Sequence, residues 1–272
     1  MIKRLSNFWH ETLKQPYNLQ YTETPSNGSK TPVVLIHGIA SDSTVWNDVI
    51  KYINTDIYQI ITIDLLGFGK SPKPDTNSYN LTNHAKQIIH TIKKHHVKQP
   101  FILVGHSLGS LIAIEIMNTM SLNIKEMILC SPPLYVADDT DLPLDLKKST
   151  KRKSNIYINL YSEISKRPNI TLRATKLISN KLSGFTLDDK TWISFKKSLV
   201  NSINNQDSLN KLIKAPVKTV IIYGRLDILL VSKHFNEAAT KNNNISLISY
   251  SGGHSLTNKY SKLIAKQINT LT

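Results

Sequence analysis

Short apolar runs rich in β-branched residues, each bounded by turn formers, alternate along the chain with longer stretches of helical period. That alternation is the mark of parallel strands joined by crossover helices. The predicted strands are 33–36, 57–63, 101–104, 127–130, 217–223 and 245–248, with 19–22 a weaker antiparallel edge candidate. Val33, Val34, Leu35 and Ile36 are apolar on both alternations. Such a strand needs helices on both of its faces, so the expected architecture is a three-layer α/β sandwich around a mostly parallel sheet. Between the second and third of these strands, Leu81, Ala85, Ile88, Ile89 and Ile92 recur as one helical stripe, leaving His84, Lys86 and His90 off it. The pair His95 and His96 closes that helix beside Lys93 and Lys94, where cationic or polar groups suit the negative end of the dipole. A helical lead-in over 5–13, carrying Phe8 and Trp9, is expected to pack on the sheet edge.

The alternation breaks between Ser131 and Ala215, where helical pieces at 156–164 and 191–203 are separated by Pro, Gly and Asn. The expected organisation is one α/β core formed by residues 1–130 and 216–272, with 131–215 inserted as a helical cap, or lid. The insertion carries 15 Lys and Arg against 8 Asp and Glu, a net +7 out of +15 for all 272 residues. The basic residues are scattered among abundant Asn and Ile, without zinc-finger spacing or RNP aromatics, so no nucleic-acid partner is expected. The densest run, Lys147, Lys148, Lys151, Arg152 and Lys153, reads as a solvated face. No stretch of about 18 apolar residues occurs, so no stable membrane insertion is expected. A single cysteine, Cys130, inside an apolar run excludes an internal disulfide and suits a reducing, cytoplasmic setting.

Chemistry concentrates at Gly105-His106-Ser107-Leu108-Gly109, which follows the apolar run from Phe101 and precedes the helix-forming stretch 111–117. A nucleophile on a sharp strand-to-helix turn needs small residues two before and two after it, because the chain passes itself closely there. A serine hydroxyl becomes nucleophilic only when a base takes its proton, and the base must be oriented by an acid. Asp227, just past the strand 217–223, and His254, in the turn after 245–248, are the candidates on later strand ends. The competing readings are a helix cap for Asp227 and a surface turn residue for His254. Asp138 and Asp139 at the start of the insertion are alternative acids. His106 is expected to pack or hydrogen-bond beneath the serine. The amides of Leu108 and Ile39 are the candidate donors to an oxyanion, Gly38 letting the loop turn its next N–H inward.

These residues resemble the α/β-hydrolase superfamily. The resemblance is carried by His37-Gly38 followed by Trp46, the run Asp64-Leu65-Leu66-Gly67-Phe68-Gly69-Lys70-Ser71, Gly105 to Gly109, Gly224-Arg225-Leu226-Asp227 and Gly253-His254. It implies a sheet of about eight strands, the chain order Ser, Asp, His for the triad, and a cofactor-free hydrolase with no metal. Ser107, Asp227 and His254 take the catalytic positions. His37, Tyr135, Phe185 and Trp192 are candidate substrate-binding residues, with structural packing the competing role for each. A small-molecule acyl substrate is expected, with carboxylic ester hydrolysis the leading reaction. Carbon–carbon bond hydrolysis, acyl transfer and a non-catalytic binding role are the alternatives.

Overall fold

A computed structural model describes residues 8–13, 15–26, 28–135 and 187–271. Its centre is a sheet of seven strands in the order β1-β3-β2-β4-β5-β6-β7. The strands are β1 (Tyr21–Glu23), β2 (Thr31–Ile36), β3 (Tyr58–Ile63), β4 (Phe101–His106), β5 (Ile124–Cys130), β6 (Thr219–Gly224) and β7 (Ile245–Tyr250). Among the described strands only β1 runs antiparallel, against β3. The described sheet thus holds seven strands, one fewer than the approximate number the resemblance implies.

The helices are α1 (Asn47–Ile50), α2 (Leu81–Lys94), α3 (Leu108–Asn118), α4 (Trp192–Ser198), α5 (Ser208–Ile213), α6 (Ser232–Lys241) and α7 (Asn258–Asn269). Alternating strand residues feed two separate cores. Val34, Ile36, Leu103 and Leu129 join the side chains of α2, α3, α5 and α6 on one face. Val33, Leu35, Val104, Ile128 and Ile222 join Trp46 and the Tyr260, Ile264 and Ile268 face of α7 on the other. The inner strands β2, β3, β4 and β6 are therefore buried on both sides, as their apolar runs require, whereas the edge strands β1 and β7 are partly exposed.

Connection order places the site. After β2 the chain forms β3 on one flank and then β4 on the other, so the strand order reverses beside β2. In an open α/β sheet the crevice at the carboxyl ends of such strands is where ligands bind. The turn after β3 is held by the Asp64 carboxylate, which accepts from the Ser43 amide at 2.8 Å and the Lys70 amide at 2.7 Å. Ser71 closes it by donating to the Asp64 carbonyl at 2.6 Å. This loop is a structural corner.

Of residues 131–215, 136–186 lie outside the described residues, and with them fall Phe185, Asp138, Asp139, the basic run 147–153 and the helical piece 156–164. The predicted helix 191–203 corresponds to α4, which continues as a π-helical turn, Leu199–Asn204. This helix rests on the loop before α2. Lys197 donates to the carbonyls of Asp75 and Asn77, Asn201 to that of Ser78, and Ser202 to that of Tyr79 at 2.7 Å.

That contact corrects the predicted face of α2. His84, expected off the apolar stripe, is buried at 1% exposure with Nε2 3.2 Å from Ser198 Oγ, whereas Ile89 is only partly buried. A second helix, α4, covers the flank that the stripe alone would leave open. Burial drives the His84 imidazole pKa down to about 3. The N-terminal turn Phe8–Thr12 also departs from expectation, since Trp9 is 55% exposed rather than packed on the sheet edge. His10 anchors this turn instead, stacking on Tyr17 with ring centroids 3.7 Å apart.

Candidate active site

Ser107 is the hinge between β4 and α3, and its backbone is strained, with φ 52° and ψ −119°. A non-glycine residue in such a conformation costs on the order of 1–3 kcal/mol and persists only where its surroundings impose it. The surroundings here are steric. A Cβ on Gly105 would lie 2.3 Å from the Gly109 carbonyl oxygen, and one on Gly109 would lie 2.2 Å from that of Ile36. The turn is also tied down by the Ser107 amide donating to the Cys130 carbonyl at 2.9 Å, and by Ser110 Oγ donating to that of Gly105 at 2.7 Å. Although Ser107 stands at the N-cap position of α3, its side chain makes no capping bond.

The hydroxyl is used elsewhere. Ser107 Oγ lies 2.9 Å from His254 Nε2, and His254 Nδ1 lies 2.7 Å from Asp227 Oδ2. For the imidazole to accept the serine proton at Nε2, Nδ1–H must donate to the carboxylate. The Asp227 side chain is fully buried while that of His254 is 22% exposed, so the hydrogen-bonded chain runs from a dry carboxylate to a solvent-reachable imidazole. Asp227 begins no helix, because α6 starts only at Ser232. Its other oxygen accepts from the Leu229 amide at 3.0 Å, which fixes the carboxylate plane.

The turn carrying His254 is held through three successive carbonyls. That of Gly252 accepts from the Leu226 amide at 3.0 Å, that of Gly253 from the Tyr250 hydroxyl at 2.8 Å, and that of His254 from His106 Nε2–H at 2.9 Å. The sequence gives no sign of the Tyr250 contact.

The loop after β2 passes directly beside the serine. A Cβ on Gly38 would lie 3.1 Å from Ser107 Cβ. Ile39, the next residue, is partly buried, and Leu108 is fully buried at the first turn of α3. Of the two candidate oxyanion residues, Leu108 directly follows Ser107 and Ile39 directly follows the glycine that approaches it. His37, proposed as a substrate contact, is set aside. It is fully buried, with Nδ1–H donating to the Gly38 carbonyl at 2.7 Å and Nε2 accepting from the Leu65 amide at 2.9 Å. Both ring nitrogens are thereby consumed in fixing the loop, and burial pushes its pKa down.

Of the aromatic candidates, Tyr135 is buried and donates to the Leu229 carbonyl at 2.6 Å, beside the Asp227 loop. Trp192 is partly buried on α4, stacked near Phe195 and under Lys196.

The family model for the alpha/beta hydrolase fold matches residues 31–256. The chain belongs to the α/β-hydrolase family. It is 34% identical over 128 residues to probable lysophospholipase BODYGUARD 4 of Arabidopsis thaliana, an alignment covering 46% of this chain and 30% of that protein. The chain spans less than a third of the length of the plant relatives it matches. It is 27% identical over 214 residues to a pimeloyl-[acyl-carrier protein] methyl ester esterase of Legionella pneumophila (strain Corby), covering 76% of this chain and 80% of that protein. An esterase from Exiguobacterium antarcticum superposes with a TM-score of 0.75 at 17% identity, over 93% of this chain and 94% of that one.

Proposed function

We propose that this chain is a serine hydrolase of carboxylic esters, with Ser107 as nucleophile, His254 as general base and then acid, and Asp227 as the group that orients the base. The relay of 2.9 Å and 2.7 Å from Ser107 through His254 to Asp227 carries this reading. Its support from relatives is the methyl ester esterase named above, aligned over most of both chains.

In the proposed reaction Ser107 Oγ attacks the acyl carbonyl as its proton passes to His254 Nε2. The amides of Leu108 and Ile39 hold the resulting oxyanion, each such donor contributing about 2.7–4 kcal/mol to the transition state. The imidazolium gives its proton to the departing alcohol, leaving an acyl-serine. Water, deprotonated by His254, then attacks that carbonyl and releases the acid, returning the proton to Ser107. No cofactor enters these steps.

The insertion 131–215 is assigned as the lid over this site, with α4 as its anchor on the core. The substrate is a small or medium acyl ester. A cytoplasmic setting accords with the lone, fully buried thiol of Cys130. The experiment is a p-nitrophenyl ester series, from acetate to decanoate, assayed with wild type and Ser107→Ala. Turnover by wild type with loss on the order of 10⁶-fold in the variant is expected. Equal turnover by both proteins would refute the assignment.

A further inference from the structure

His106 directly precedes the nucleophile, yet its ring turns away from Ser107 and reaches the carbonyl of the base itself, 148 residues on, at 2.9 Å. The acceptor is a carbonyl oxygen, so Nε2 must carry the proton and Nδ1 the lone pair. The ring is 8% exposed, edge-on to Trp46 at 6.5 Å and tilted against the His254 ring at 5.2 Å. Its Nδ1 side faces the oxyanion loop, where a Cβ on Gly38 would come within 3.3 Å. One imidazole thus touches the strand bearing the nucleophile, the turn bearing the base and the loop bearing an oxyanion amide. Its environment keeps it neutral, burial first and the neighbouring His254 second pushing its pKa down to about 3. A neutral ring beside His254 adds no like charge when the base becomes imidazolium.

We infer that His106 is a positioning residue, whose Nε2–H clamps the His254 carbonyl and so holds the base imidazole at transfer distance from Ser107. The inference rests on the ester-hydrolase reading of the same site. Of the three carbonyl contacts along the base turn, this one alone acts on His254 itself. Losing it frees rotation of the residue whose Nε2 must meet the serine proton, while the surfaces that bind an acyl chain stay in place. The effect should therefore fall on kcat and leave KM.

The experiment compares wild type, His106→Phe and His106→Gln on the best p-nitrophenyl ester, with Ser107→Ala as control. Phe keeps a ring against Trp46 but sets a C–H opposite the carbonyl, whereas the Gln amide reaches about as far as Nε2 and still donates. For Phe, kcat should fall on the order of tenfold to hundredfold, the scale of a small misplacement of a reacting group, with KM within about twofold. Gln should recover most of that loss. Unchanged kcat in the Phe variant, or equal loss in both variants without rescue, overturns the clamp. Should the Phe variant fail to fold, ¹⁵N-histidine NMR of wild type decides. A neutral Nε2–H tautomer for His106 supports the inference, and an Nδ1–H tautomer overturns it. Full activity of Ser107→Ala would instead remove the underlying hydrolase reading, so the two failures are distinct.

Discussion

The turn bearing Ser107 and the turn bearing His254 meet at one hydrogen bond but combine steric closure and hydrogen bonding in different proportions. Around Ser107 the backbone is locked by contact, with the Gly105 and Gly109 positions too tight for any side chain and the serine forced into a positive φ. Around His254 contact closes only the near side of the turn, where Gly224 and Gly252 leave no room for a side chain, while Gly253 is open and the turn is held by single hydrogen bonds to three carbonyls, from Leu226, Tyr250 and His106. Steric closure fails all at once. A set of hydrogen bonds loosens by degrees, so the Ser107 turn should be intolerant and the His254 turn adjustable from Gly253 onward.

The chemical end of each turn is tested first. Ser107→Ala should lower kcat about 10⁶-fold with little change in melting temperature, because the hydroxyl makes no capping bond. Asp227→Asn should lower it about 10⁴-fold, because the amide leaves His254 in the wrong tautomer for its bond to Ser107. A loss in the Asn variant smaller than about tenfold, set against that scale, would show that Asp227 does not orient the base.

Acid should act on the buried imidazoles. The His84 and His106 pKa values sit at about 3 in the fold, below the ordinary 6.5 of an exposed chain. The unfolded chain therefore binds protons that the folded one refuses. The stability is fully present above about pH 6.5 and is lost as pH falls towards 3, each residue withdrawing on the order of 2 kcal/mol by pH 5. Thermal melts at pH 8, 6 and 5 should show a progressive fall, and a midpoint that rises on acidification would contradict these burials.

Two further variants probe the comparison itself. Gly109→Ala drives a methyl into the Ile36 carbonyl, a backbone atom with no rotamer to yield, and should cost about 3 kcal/mol, visible as a melting drop of more than about 5 °C. Tyr250→Phe removes only the hydroxyl bond to the Gly253 carbonyl, for about 0.5–1.5 kcal/mol. A larger thermal penalty for the tyrosine variant than for the glycine one would invert the account of the two turns.

The core strands and the three relay residues were legible in the sequence for local reasons. Val33 to Ile36 form an apolar run that can only be a doubly covered strand, and Gly105 and Gly109 bracket a serine between strand and helix. Asp227 and His254 are legible because they stand three and four residues past the ends of β6 and β7. The edge strand was weaker: it lies at Tyr21–Glu23, slightly beyond the predicted 19–22, since only β3 pairs with it.

What stayed hidden depends on segments distant in sequence. His84 is buried by α4, more than 100 residues on, and no periodicity within α2 encodes that cover. His37 has the residue type of a substrate contact, but its ring nitrogens are claimed by Gly38 and Leu65. The reach of His106 to the His254 carbonyl and of Tyr250 to Gly253 likewise exists only once the β4 and β7 ends are side by side.

The proposed chemistry needs one serine made nucleophilic by one histidine. Labelling folded wild type and His254→Ala with a fluorophosphonate, followed by peptide mass mapping, tests it most directly. A single adduct is expected, on Ser107, formed rapidly in wild type and slowed at least about a thousandfold in the variant. An adduct on another residue, or labelling of Ser107 at equal rates in both proteins, would contradict it.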